Sequence, residues 1–421
     1  MQVKPATVAY TIWHPYSHMP DLKPIEVTQA KGVYLFTSDN RTIIDAISSW
    51  WVNTHGHAHP YIAEAIAKQA QQLEQVIFAG FTHPQAERLV GRLCQRLPPD
   101  LNVAFFSDDG STSVEVAIKM LFQYYHNKKE PKNTIIALSS SYHGDTFGAM
   151  SVSARSVFST AFEPFLFEVE YIEPTALDVL DQLEKKIQQP HVAGLIVEPL
   201  VQGVGGMRFY SAYTLDKMIE CCHAYQKFVI ADEVMTGFGR TGNFFAIDAI
   251  EQKPDILCLS KALTGGFLPL GLTFCTPTIY EAFLDSDKTK TFFHGHSYTG
   301  NALACAAANA VLDLFEQTPT LEAIHQIHTI HQERLKVLNK YSSIQNPRTI
   351  GSIAAFDIAV QQPGYLNEMS TIISKFALAK GVLLRPLGNV VYILPPYVIS
   401  STELHYVYDV IEEGLRKEWN L

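Results

Sequence analysis

Cysteine is scarce in this chain, six among 421 residues, and no pair has C-x-x-C or Cys/His spacing. That excludes a zinc ribbon and a disulfide scaffold. Cys94, Cys221, Cys222, Cys258, Cys275 and Cys305 read instead as free, mostly buried thiols. No run of about 18 apolar residues exists to span a bilayer. The opening MQVKPATVAYTIWHPYSH lacks the apolar centre of a signal peptide. Basic runs are missing too: 32 Lys and Arg face 42 Asp and Glu, a net charge of −10. That balance argues against nucleic acid or an anionic membrane as the main partner. Internal repeats, low-complexity tracts and Gly/Ser linkers are also absent. These absences predict a cytoplasmic protein with no Cys/His metal site.

What remains is an ordinary globular composition, 47% hydrophobic and 18% charged. A chain of 421 residues exceeds what one core usually holds, so a large and a small domain are expected. GVYLFTSDNRTIIDAI (32–47) reads as a hairpin around Ser-Asp-Asn, and apolar spacing predicts a helix over 60–75. From residue 102 strands and helices alternate. NVAFF (102–106), TIIAL (134–138), AGLIVE (193–198), FVIAD (228–232) and DILCLS (255–260) read as strands buried on both faces. Helical stretches at 114–125 and 214–225 lie between them, and others follow at 301–315 and 321–338. The pattern predicts an α/β fold with a mostly parallel sheet, whose ligands bind beyond the strands' carboxyl ends. Expected boundaries are an N-terminal segment 1–55 belonging to the small domain, a large domain 56–315, and a C-terminal small domain 316–421.

Three strand ends carry chemistry. FFSDDGST (105–112) is a strand, a small polar turn and a helix start. Unpaired N–H groups there can hold a phosphate, and any N-cap looks similar. FVIADEV (228–234) ends a strand in Asp232 and Glu233. An acid there can keep a pyridine nitrogen protonated, cap the next loop or ligate Mg²⁺, and the residues alone leave this open. LCLSKAL (257–263) sets Lys261 just past a buried strand, where an amine loses affinity for its proton and becomes nucleophilic. Gly203-Val204-Gly205-Gly206 follows a strand but lacks G-x-G-x-x-G spacing, which disfavours a nicotinamide dehydrogenase.

DEVMTGFGRTG (232–242) with SKALTGG (260–266), VEPLVQGVGGM (197–207) and GHSYTGNALACAAA (295–308) together resemble the class III aminotransferases, which use pyridoxal 5'-phosphate. The resemblance runs nearly the whole chain. It implies the aspartate-aminotransferase type of fold and a homodimer with shared active sites. Lys261 would bind the cofactor covalently, Asp232 would pair with its ring nitrogen, and Val234 and Tyr142 would flank the ring. Gly110 and Ser111 would hold the phosphate, with His296 and Ser297 reaching it from the partner subunit. Lys261, Asp232 and Tyr142 are the expected catalytic residues.

Within that family, WHPYSHM (13–19), SSWWVNTHGHAHP (48–60), SYHGDT (141–146) and RPLGNVVYILPPY (385–397) resemble the branch that aminates 8-amino-7-oxononanoate in biotin biosynthesis. The implied substrate residues are Tyr16, Trp50, Trp51, Tyr142, Asp145, Lys261, Gly295 and Arg385. Arg385 offers a fork for a carboxylate, and the aromatic rings offer walls for an aliphatic chain. S-adenosyl-L-methionine is the expected donor. Lysine is the alternative, because GHSYTGN also occurs in lysine-using relatives. Ornithine, 4-aminobutyrate or ω-amine aminotransferases and aminomutases would share the cofactor residues.

Overall fold

The computed structural model describes residues 12–417 and 419; the opening residues 1–11, part of the expected N-terminal segment, lie outside them. A seven-stranded sheet organises the chain, in the order 103–107, 271–275, 256–259, 228–232, 192–197, 134–138, 169–172. Six strands point one way, and Gly271–Cys275 runs against both its neighbours. The expected strands are all present within one residue or so of their sequence bounds. Two were not foreseen. Val169–Ile172 is half polar, and Gly271–Cys275 follows GGFLPL, whose glycines and proline read as loop.

The continuous apolar strands are buried on both faces. Ile135 and Ala137 face the helix Gly110–Asn127, while Ile136 and Leu138 enter the larger core on the other side. Fully burying one such aliphatic side chain is worth about 1.5–3 kcal/mol. The helices Val179–Ile187 and Ala212–Ala224 cover that second side.

A separate core joins the two ends of the described chain. Val33, Ile44 and Ala46 pack with Ile324, Phe356, Val382, Val407, Trp419 and their neighbours. The hairpin foreseen at 32–47 forms with Tyr34–Thr37 against Thr42–Asp45. Val27–Lys31 extends it on one side, and Val382–Leu383 joins Thr42–Asp45 in parallel on the other. The six cysteines are free, four of them buried. No helix among the described residues is long and apolar enough to cross a membrane.

Candidate active site

Sheet register decides which side chains meet. Ala231 pairs with Val197 and Asp232 with Cys258, so Glu198 and Asp232 leave adjacent strands at one level, and Lys261 follows just past Leu259. All three open onto a cavity of about 560 Å³ beyond the strands' carboxyl ends. Gly110, Ser111, Tyr142, Val234, Trp50, Trp51, Tyr16 and Arg385 line it as well.

The two acids after Phe228–Asp232 divide the roles that the residues left open. Glu233 turns away and accepts N–H groups of Ala246 and Ile247, both at 2.8 Å, so it braces the following loop. Burial pushes its carboxyl up to about 7. Asp232 faces the cavity; its Oδ1 accepts Val234 N–H at 3.0 Å and its Oδ2 lies 2.7 Å from Nδ1 of buried His143. The other ring nitrogen of His143 is buried without a partner. Glu198 accepts the N–H groups of Tyr142 and Gly203, at 3.0 and 2.9 Å. Burial lifts it to about 7, and His143 works against that rise.

Lys261 is half-buried and lines the cavity. Burial lowers its amine to about 8, with Asp232 and Glu198 opposing the fall. Its Nζ sits 4.7 Å above the ring of Trp51, a cation–π contact. Trp51 is buried and donates to Tyr392 Oη at 3.1 Å. In the cofactor-free protein, labelling of Lys261 by an aldehyde and borohydride is expected to rise through about pH 8 rather than near 10.5. A neutral amine is the nucleophile, so lowering its proton affinity moves reactivity to lower pH. Peptide mass mapping across a pH series checks this.

The turn 108–111 is built to be approached closely. Asp109 caps the helix Gly110–Asn127 by accepting Thr112 N–H at 2.7 Å. A Cβ on Gly110 would stand 2.6 Å from a Val234 methyl, and one on Gly271 would stand 2.4 Å from the carbonyl of Asp109. Both positions therefore exclude a side chain. Ser111 Oγ accepts Asp145 N–H at 3.2 Å.

Opposite this turn, Tyr16 Oη donates to Asp145 and lies 3.1 Å from Tyr142 Oη. Burial and the Asp145 carboxylate hold both phenols well above their ordinary range. The Arg385 guanidinium stacks 4.7 Å over Trp50, whose ring meets Tyr16 edge-on at 5.5 Å. Among the described residues no carboxylate pairs with Arg385, and its one hydrogen bond, at 3.4 Å, goes to the Tyr16 carbonyl. Trp50 and Trp51 sit in a strained turn where Ser48, Ser49 and Trp51 have φ of 53°, 60° and 67°. Each such conformation costs on the order of 1–3 kcal/mol outside glycine.

Gly295, His296 and Ser297 do not line this cavity within one chain. His296 Nε2 comes to 3.8 Å from Asp108, and Gly295 and Ser297 are exposed. Sequence reading missed His143, Glu198, Phe158, Tyr365 and Tyr392. The first two lay inside quoted motifs, SYHGDT and VEPLVQ, and Glu198 carried the same signal as Asp232: an acid ending an apolar strand.

The chain matches the family "Aminotransferase class-III" over residues 16–415. It belongs to the class III aminotransferases. An adenosylmethionine-8-amino-7-oxononanoate aminotransferase of Synechococcus elongatus is 47% identical, with 96% of this chain and 98% of the relative covered. One from Geobacter sulfurreducens is 38% identical, over 96% and 95%. Among solved structures, the enzyme of that name from Methanocaldococcus jannaschii superposes with a TM-score of 0.93 at 33% identity, covering 97% of each chain. As a class III aminotransferase, the chain has the fold of pyridoxal-phosphate-dependent transaminases.

Pyridoxal 5'-phosphate is the cofactor this family implies, and the cavity fits it. A lysine of lowered proton affinity, a buried carboxylate and an orphaned His143 nitrogen converge beside a helix start stripped of side chains at Gly110.

Proposed function

We propose that this class III aminotransferase moves an amino group onto the ketone of 8-amino-7-oxononanoate, giving 7,8-diaminononanoate in biotin biosynthesis. S-adenosyl-L-methionine is the donor in this reading, and pyridoxal 5'-phosphate is held by Lys261. The observation that carries it is a cavity with proton-handling groups at one end and an unpaired guanidinium on an aromatic wall at the other. Full-length likeness to relatives bearing that enzyme name supports it.

In this reading Gly110 and Ser111 take the phosphate at the helix start, and Val234 and Tyr142 bracket the ring. Asp232 keeps the ring nitrogen protonated, with its own orientation fixed by His143 and by Val234 N–H. The bound cofactor supplies an electron sink for the pair released when a C–H bond breaks. Lys261 moves that proton, as an amine already lowered toward neutral pH can. Tyr16, Trp50 and Tyr142, linked through Tyr16, form one aromatic side of the cavity. His296, half-buried, and Ser297, exposed, in one chain are assigned to the partner's phosphate in a cytoplasmic homodimer.

Arg385 tests the substrate. Leaving a carboxylate unpaired in a partly desolvated site costs about 2–5 kcal/mol. Arg385→Ala is therefore expected to raise KM for 8-amino-7-oxononanoate by about tenfold or more, with a smaller loss in the donor half-reaction. Paired single-turnover titrations, keto acid on one form and a panel of donors including S-adenosylmethionine and lysine on the other, read this out. Loss in neither half would move the assignment to another ω-aminotransferase.

A further inference from the structure

The strained turn carrying Trp50 and Trp51 must be held by something, and the structure shows what. Asp45 ends the strand Thr42–Asp45 with no exposed surface. Three N–H groups converge on its two oxygens. Ile47 N–H reaches Oδ1 at 3.1 Å, while Ser49 N–H at 2.6 Å and His57 Nε2 at 2.8 Å reach Oδ2. His57 is fixed in turn by Asn53 Nδ2, 3.2 Å from its Nδ1. The far side of the same turn is gripped by buried Arg240, which donates to the carbonyls of Trp51 and Asn53 at 3.1 and 3.3 Å. Carboxylate on the N–H side and guanidinium on the carbonyl side thus clamp residues 47–53. Ser49, whose N–H Asp45 takes, directly precedes Trp50 and has φ of 60°.

We propose that Asp45, steadied by His57, is a positioning residue for the acceptor. It holds the turn that aims Trp50 at Arg385 and so builds the carboxylate end of the cavity. Neither side chain touches the reacting atoms. An amide cannot replace this carboxylate: Asn has one acceptor oxygen, and its NH₂ would face an N–H donor. The left-handed turn then relaxes, and the Trp50 face leaves the guanidinium. The identity of the substrate rests on the proposed function; the positioning itself does not.

The test compares holoenzymes of the wild type, Asp45→Asn, Trp50→Ala and the double variant. Asp45→Asn is expected to raise KM for 8-amino-7-oxononanoate about tenfold with kcat changed less than about threefold, and to add nothing in the Trp50→Ala background. Without any substrate, Asp45→Asn should remove the same near-ultraviolet tryptophan circular dichroism that Trp50→Ala removes. If Asp45→Asn yields no soluble holoenzyme, His57→Phe makes the same comparison, with a KM rise of about threefold, again absent without Trp50. Additive KM effects, or an unchanged tryptophan signal, would overturn the role of Asp45. A wild type that ignores the keto acid would overturn the substrate reading, and the spectral arm would still decide Asp45.

Discussion

Replacing Lys261 by alanine is expected to slow amino transfer by about 10²–10⁴-fold, the usual contribution of a positioned acid–base group. The loss of covalent attachment adds to it. Two observations make this the largest effect in the molecule. Lys261 is the amine at the cavity's sheet end, and burial has brought it down to about 8, where it can both give and take a proton near neutral pH. Burial and Arg240 disfavour its charge and outweigh Asp232 and Glu198, which favour it. The fold should therefore survive the substitution. Removing a charge that burial disfavours offsets the lost packing, and alanine inherits a φ of 42° no worse than lysine did. Single-turnover amino transfer, exchange of the donor's α-proton with solvent, and thermal unfolding measure the three claims. Near wild-type proton exchange in Lys261→Ala would transfer the proton-moving role to another group.

Asp232→Asn is expected to be the second largest loss. Removing a charge-assisted hydrogen bond costs roughly 1.5–3 kcal/mol, which corresponds to about ten- to 150-fold in rate. In the proposed reading, the electron sink would also weaken without Asp232 to hold the cofactor's ring nitrogen protonated. Shape is conserved: the amide can still accept Val234 N–H, and the strand Phe228–Asp232 remains buried on both faces. A variant with unchanged turnover would reassign Asp232 to orienting His143 alone. A variant that fails to fold would show that the His143–Asp232 pair supports the sheet.

Much of this was legible in the sequence because continuous apolar strands announce a doubly covered parallel sheet, and chemistry gathers where such strands end. Lys261, Asp232 and the 108–111 turn all declared themselves that way. Glu198 carries the same signal, an acid that ends the apolar run AGLIVE. The duty of Glu233 could not be read, since an acid's role depends on which way the chain turns after the strand. His143 was hidden for a different reason. It lies in a loop, and only the fold carries it to Asp232, 89 residues later. Gly271–Cys275 was lost to local punctuation, its glycine and proline neighbours masking a strand that sheet pairing stabilises.

That reversed strand matters for the order in which the chain can become an enzyme. Lys261 lies in the connection between Ile256–Leu259 and Gly271–Cys275, which pair with each other, while the 108–111 turn follows Val103–Ser107. The two halves of the proposed cofactor site meet because Gly271–Cys275 is inserted between strands whose own residues lie about 150 positions apart in the chain. Such a pairing closes a long loop, so it is slow to form and comes after local helices and hairpins. During synthesis a chain lacking residues from 271 onward can have the lysine and the aspartate on adjacent strands, yet only Gly271–Cys275 brings the 108–111 turn to them. Competence to take up the cofactor is thus acquired late and all at once, as a property of the completed sheet.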